Sequence, residues 1–212
     1  SDAFEQSDSG QSLVDMMELD LIVGSGGVLS HAPRREQSAK MLIDSFLPEG
    51  ITSLAVDSIF MMPQLGVMAN IENKEIAEQA RVAALEVFEK DCLIRLGTCI
   101  APVGKLSGSE IPLQVNLEFK NGEKKDIEVR YGELIRIEAD YEEIKAVLTP
   151  AKGVDVGAGD GEQISTTIFG GQVGIVFDGR GRPLEIDASS SKRISNLKKW
   201  SEAMNEYPEI GK

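Results

Sequence analysis

The chain has 212 residues, 42% apolar and 27% charged, a composition that supports a packed core and argues against disorder for its bulk. Acids outnumber bases 35 to 22, so the net charge of −13 repels a phosphate backbone and disfavours nucleic acid as a partner. The longest apolar runs, Leu21–Val23 and Ile59–Met62, fall far short of the ~20 residues that cross a bilayer, and no signal-peptide pattern opens the chain.

Residues 1–11 are polar and Gly/Ser-rich and read as a frayed lead-in; the start at Ser1, without a methionine, suggests that part of a longer protein precedes it. Leu13–Leu19 reads as a helical turn or two, and Asp20–Val23 as a short buried strand running into Gly24-Ser25-Gly26-Gly27. From Pro33 the spacing of Ala39, Leu42, Ile43, Phe46 and Leu47 predicts a helix that stops at Pro48-Glu49-Gly50. Ser53–Val56 reads as a second strand, after which Asp57 or Ser58 caps an apolar segment, Ile59–Ala69, with Pro63 tolerated in its first turn. Residues 74–90 predict a helix with Ile76, Ala77, Ala80, Ala83, Ala84, Val87 and Phe88 in one stripe.

After Asp91 the apolar period changes to two. Cys92–Ile100 reads as a strand and Ala101–Pro112 as a loop. Leu113, Val115, Leu117 and Phe119 alternate with polar residues up to Asn121-Gly122, and Ile127 and Val129 alternate beyond, which predicts a hairpin with a type I′ turn. Further strands are expected at Leu134–Ala139, Ile144–Leu148, Ile164–Phe169 and Val173–Phe177, in a small barrel or sandwich. Ile194, Leu197, Trp200 and Met204 fit a closing helix. The expected organisation is an α/β (or α+β) part over 1–90, a β-rich part over 91–188 and a C-terminal helix over 189–212. Cys92 and Cys99 would lie roughly 23 Å apart in one strand, so both are read as reduced core residues of a cytoplasmic protein.

Chemistry concentrates in the stretch from Asp20 to His31. Glycines let backbone amides approach a ligand, and a following helix adds its positive end, which suits a nucleotide's phosphates or sugar. The pattern is neither G-x-G-x-x-G nor G-x-x-x-x-G-K-[ST], and a plain strand-to-helix turn fits it as well. Arg34-Arg35 can pair with phosphate oxygens or lie solvated on the first turn, and His31 can touch a base or serve structurally. Arg180 and Arg182, in Gly-Arg-Gly-Arg-Pro, read as a partner contact or an exposed turn. Gly153–Gly161 reads as a glycine-rich connection between strands rather than a methyltransferase loop, which would have to open a helix. One histidine and two cysteines cannot furnish a structural zinc site.

The run from Asp20 to Met68, with Val-Gly-Ser-Gly-Gly-Val-Leu-Ser-His-Ala-Pro-Arg-Arg and Asp57-Ser-Ile-Phe-Met-Met-Pro-Gln-Leu-Gly-Val-Met, closely resembles the glutamate mutase accessory protein family (GlmL, or MutL of the mutase operon). Gly153-Val-Asp-Val-Gly-Ala-Gly and Gly170–Leu184 resemble the C-terminal end of that family. The resemblance implies the C-terminal half of an actin/hexokinase/Hsp70-like ATPase lobe that maintains or reactivates an adenosylcobalamin-dependent mutase. It places Gly24–Gly27 where the adenosine-binding loop lies, so Gly24, Ser25, Gly26, Gly27, Ser30 and Arg34 are the candidate ATP/ADP contacts, with Mg bound only indirectly. Such ATPases carry an N-terminal Asp-x-Gly-[Ser/Thr] loop, whereas here Asp155-Val-Gly157 is followed by Ala158 and Asp178-Gly179 by Arg180. Hydrolysis would therefore need the other half. The expected partners are mutase subunits, contacted by the β-rich part, with self-association through an exposed sheet edge as a further expectation. The alternative is a non-catalytic interaction module in which the glycine loop is purely structural.

Overall fold

The computed structural model describes residues 14–73 and 75–207. The elements are β1 (Leu21–Gly24), α1 (Gly27–Ser30), α2 (Arg35–Phe46), β2 (Gly50–Asp57), α3 (Met62–Ala69), α4 (Ala77–Val87), β3 (Leu93–Ala101), β4 (Val103–Gly104), β5 (Leu113–Glu118), β6 (Lys124–Val129), β7 (Leu134–Ile137), β8 (Glu143–Pro150), β9 (Val154–Asp155), β10 (Ile164–Phe169), β11 (Gly174–Asp178) and α5 (Ser190–Met204). The chain is thus mixed α/β, as its periodicities predict. Of the expected turns at Leu13–Leu19, one 3-10 turn forms at Met16–Glu18. Leu13 and the polar lead-in lie outside the described residues.

A five-stranded mixed sheet, ordered β1-β2-β3-β11-β7, forms the middle layer. On one face Ile22, Leu54, Val56, Leu96 and Val176 pack against Ala39, Leu42 and Ile43 of α2 and Trp200 and Met204 of α5. On the other, Ile100, Ile175 and Phe177 meet Val115, Leu117, Ile144, Leu148 and Ile168 of an antiparallel sheet ordered β10-β8-β5-β6. Strand period two explains the double use of β11: Val176 faces the helices, while Ile175 and Phe177 face the second sheet. The second sheet is open, so the strands of this region form a sandwich-like layer and no barrel. Strands from both sides of residue 90 share the central sheet. No helix among the described residues is long and apolar enough to cross a membrane.

One local turn differs from expectation. The β5–β6 hairpin forms in the expected place, with Leu113 opposite Val129 and Glu118 opposite Lys124. Gly122 has φ 86° and its N–H donates to the Phe119 carbonyl, but Asn121 is not at positive φ. The turn is therefore a type I turn closed by a left-handed glycine, not type I′, and the Asn121 side chain accepts from the Glu123 N–H. In α4 the expected stripe is the covered face: Ala84 is buried and Ala77, Ala80, Ala83 and Phe88 are half-buried where α3 packs on α4, while Ile76 and Val87 at its margins are exposed. Periodicity reveals which face of a helix is apolar, not what covers it.

Arg180 and Arg182 are neither exposed nor at a partner surface. Arg180 donates through Nε and Nη2 to both oxygens of Asp178, each at 2.8 Å, and Arg182 Nη2 donates to Asp178 Oδ2 at 2.9 Å. Arg180 Nη2 also lies 2.8 Å from Asp44 of α2, and its guanidinium sits 5.0 Å over the Trp200 ring of α5. Trp200 Nε1 donates to the Gly132 carbonyl. This buried cluster fastens α2, the end of β11 and α5 together. Burial pushes the Asp178 carboxyl up, but the hydrogen bonds and charges of Arg180 and Arg182 outweigh it and hold it below the ordinary aspartate value. Both cysteines are free and buried; burial first, then the Asp178 charge, pushes the Cys99 thiol up to about 12.

Gly97 and Gly174, paired across β3 and β11, have φ of 137° and 97°, and a Cβ on Gly97 would sit 1.7 Å from the Gly174 carbonyl oxygen. Gly97→Ala is therefore expected to lower unfolding free energy by at least ~2 kcal/mol in urea titration, since backbone cannot yield as a side chain would. Asp178→Asn leaves Arg182 without its carboxylate and the buried Arg180 with Asp44 alone, and is expected to cost about 3 kcal/mol at pH 7. Because the native carboxyl titrates lower than the unfolded one, its stabilisation is complete above pH ~4 and disappears as pH falls through the native value. The gap between wild type and Asp178→Asn should narrow below pH ~4 in the same titration.

Candidate functional site

β1 and β2 pair in parallel, Leu21 with Ser53 through Gly24 with Val56. Their carboxyl ends therefore open on the same side of the sheet, where open α/β sheets hold ligands. The glycine loop leaves β1 there, and Asp57-Ser58-Ile59-Phe60 leaves β2 beside it. Gly24 is buried, and a Cβ on it would press on Leu29 and Leu42 at 2.9 and 3.0 Å, so this glycine serves close packing of α1 and α2 on the strand. Gly26 takes φ 103°, and a Cβ on Gly26 or Gly27 would meet nothing within 4 Å. Backbone here is open to an approaching ligand, and the corner is not plugged by side chains.

Asp57 organises this corner. It is wholly buried, and its Oδ2 accepts from Ser25 Oγ at 3.4 Å and from the Met62 N–H at 2.9 Å, while Oδ1 accepts from the Met61 N–H at 3.2 Å. Its backbone carbonyl accepts from Ser30 Oγ at 2.5 Å. The capping role expected of Asp57 or Ser58 thus belongs to Asp57. Its contact with the glycine loop lies beyond sequence reasoning, because Ser25 meets it only through the parallel pairing. Ser30 is 3% exposed and fixes α1 to the end of β2. Arg35 donates to the Ser30 carbonyl at 2.8 Å.

Arg34 stands apart from this group: its Nη2 pairs with Glu36 at 3.0 Å at the start of α2. His31 is exposed at the C-terminal end of α1, where its N–H donates to the Gly27 carbonyl. The helix after the loop is a single turn, Gly27–Ser30, so its macrodipole is small and the expected positive helix end adds little. Whatever the loop holds it must hold through individual N–H groups. In the C-terminal glycine stretch, Asp155 Oδ1 accepts from the Gly157 and Gly159 N–H groups at 2.7 and 2.9 Å. The chain then enters β10 and no helix, as expected of a connection between strands.

From the end of β2 the chain projects an arm. Asp57 and Leu93 are register partners on adjacent strands, and between them run α3, α4 and a π turn at Phe88–Cys92. Ser58 clasps the base, its N–H and Oγ both donating to the Cys92 carbonyl at 2.8 and 2.7 Å. α3 and α4 pack chiefly on each other and on the π turn. Ile59, Phe60, Val67, Ile76, Val82 and Leu85 are all exposed, Val67 at 76%. Apolar exposure on this scale marks an interaction surface more often than a solvated face.

A crevice of about 370 Å³ lies nearby, lined by Glu89, Leu93, Arg95, Asp140, Tyr141 and Gln172. Arg95 sits 5.3 Å over the Tyr141 ring, which stacks on Phe169 at 5.7 Å. With two carboxylates against one guanidinium it has no net attraction for an anion, so the aromatic contacts read as packing.

Residues 6–86 match the family model described as MutL protein, a stretch that runs through β1, the glycine loop, Asp57 and almost all of α4. The match bears out the family resemblance carried by Asp20–Met68. No curated protein and no solved structure matches the chain. On the geometry alone, Ser30→Ala is expected to lower unfolding free energy by about 1–2 kcal/mol, because the buried Asp57 carbonyl loses its donor. Urea titration measures the loss, and faster amide exchange at residues 27–31 locates it.

Proposed function

With residues 6–86 matching the MutL protein family, we propose that the chain is the adenosine-side part of an ATP-binding accessory protein. It would maintain or reactivate an adenosylcobalamin-dependent mutase such as glutamate mutase. One observation carries the reading: the matched stretch coincides with the open glycine corner and the Asp57 network at the carboxyl ends of two parallel strands. A nucleotide's ribose or phosphates can approach Gly26 and Gly27 without meeting a side chain. Gly24 and Ser25 shape the turn, Ser30 anchors it, and Arg34 stands at the next helix start with its guanidinium on Glu36.

In the actin/hexokinase/Hsp70-like arrangement, a second lobe supplies the phosphate loop and the Mg site. β1 is an edge strand of the five-stranded sheet, with its free side beside the glycine corner, so a further strand from such a lobe can pair there. Nucleotide would then be held between two lobes, and hydrolysis would need both. ATP or ADP would set the angle between the lobes, and the mutase would feel that angle.

A second reading, an interaction module whose glycine loop is purely structural, is favoured by the exposed apolar arm. Nucleotide binding separates the two. ATP or ADP at a hundred times its Kd is expected to stabilise the protein by about 2.7 kcal/mol in a thermal melt. Gly26→Val, which forces a β-branched residue to φ 103° and fills the open space, is expected to abolish that gain while leaving the far-ultraviolet spectrum unchanged. Wild-type melting that does not move at saturating nucleotide supports the interaction module instead.

A further inference from the structure

We infer that Asp57 is a positioning residue that links occupancy of the glycine loop to the helical arm 58–92. The inference rests on the nucleotide reading of the loop and adds to it a route by which a bound ligand is felt elsewhere. The Asp57 carboxylate spans two elements that do not otherwise share a hydrogen bond: Ser25 of the loop on one side, and the Met61 and Met62 N–H groups at the start of α3 on the other. Oδ2 is shared, accepting from Ser25 Oγ and the Met62 N–H together. A ligand that engages the loop and turns the Ser25 hydroxyl changes the charge density left on that oxygen for α3. No water competes, because Asp57 is fully buried.

The arm is built to respond. Its two ends sit side by side at Asp57 and Leu93, and Ser58 holds them together through the Cys92 carbonyl. Beyond that clasp, α3 and α4 rest mainly on one another, so a small rotation at the base costs little core packing and moves a long apolar surface. Phe60, at φ 60° without being glycine, sits between Asp57 and α3 and stores backbone strain where the chain turns. The loop and the arm thus share one buried acceptor, and the arm carries the exposed apolar residues. A partner seated on those residues would be released or gripped according to the state of the loop.

Hydrogen exchange read by mass spectrometry tests this on the wild type, Asp57→Asn and Met62→Pro, each with ADP at a concentration that saturates its own loop. Met62→Pro removes one N–H donor to the carboxylate at the first position of α3, where proline is tolerated, and leaves the loop residues unchanged. Circular dichroism first establishes that each variant is folded; Met62→Pro carries the test if Asp57→Asn is not. In the wild type, ADP is expected to slow exchange roughly threefold or more both at residues 24–30 and at residues 61–71. In the folded variants the loop should keep its response while the response at 61–71 falls to under about a third of the wild-type value. An arm that responds as strongly in every folded variant overturns the inference, as does a wild-type arm that stays silent while the loop responds. Loss of ADP binding in a folded variant makes the carboxylate part of the berth rather than a link, and also overturns it. Silence of both segments in the wild type at saturating ADP overturns the nucleotide reading itself, and the link falls with it.

Discussion

Leu21–Gly24 runs alongside Ser53–Val56 in the same direction, and a parallel pair can be joined only by a crossover that returns over the sheet. α2 is that crossover, and Leu42 and Ile43 bury against the strands it connects. The consequence is geometric. Both strands end on one side, so the glycine loop and Asp57 become neighbours although more than thirty residues separate Ser25 from Asp57. In an antiparallel pair the two would lie at opposite ends, and no shared corner would exist.

The corner is steady because the layer beneath it is pinned from both faces. Hydrophobic burial supplies most of the stabilisation, but it is non-directional and does not by itself fix the angle of α2 or α5 on the sheet. The Asp178–Arg180–Arg182 cluster does. Its bidentate bond sets one guanidinium plane, Asp44 and Trp200 both meet that plane, and each belongs to a different helix. Breaking one member strands the others in a site with no water to take their place, which makes the cluster costly to lose even where it adds little net stability.

Against that rigid body, the arm has few ties. Its base is clasped by Ser58 and Asp57, and its outer surface mixes charged residues with exposed Ile59, Phe60, Val67, Ile76, Val82 and Leu85. Exposed apolar side chains gathered on one element mark interaction surfaces more often than solvated faces. The family match covers the loop and the arm as far as Glu86, so one matched segment carries both.

Strand and helix periods, the turn residues and the loop itself were legible in the sequence, because period, capping and glycine conformations are local properties. Ala39, Leu42 and Ile43 declared a buried helix face, Asp57 a cap, and Asn121-Gly122 a hairpin; even the error there was confined to which residue takes the positive φ angle. Other features were decided only in three dimensions. Gly-Arg-Gly-Arg-Pro reads as an exposed turn until Asp178, Asp44 and Trp200 close around it. The stripe on α4 reads as a covered face and is one, but only the fold shows that α3, not the central sheet, is packed on that helix. Ser25 and Asp57 look unrelated until two strands align. Sequence fixes what each segment can bury or bond locally, whereas which distant segment answers it depends on strand order and direction, and those are settled by packing the whole chain at once.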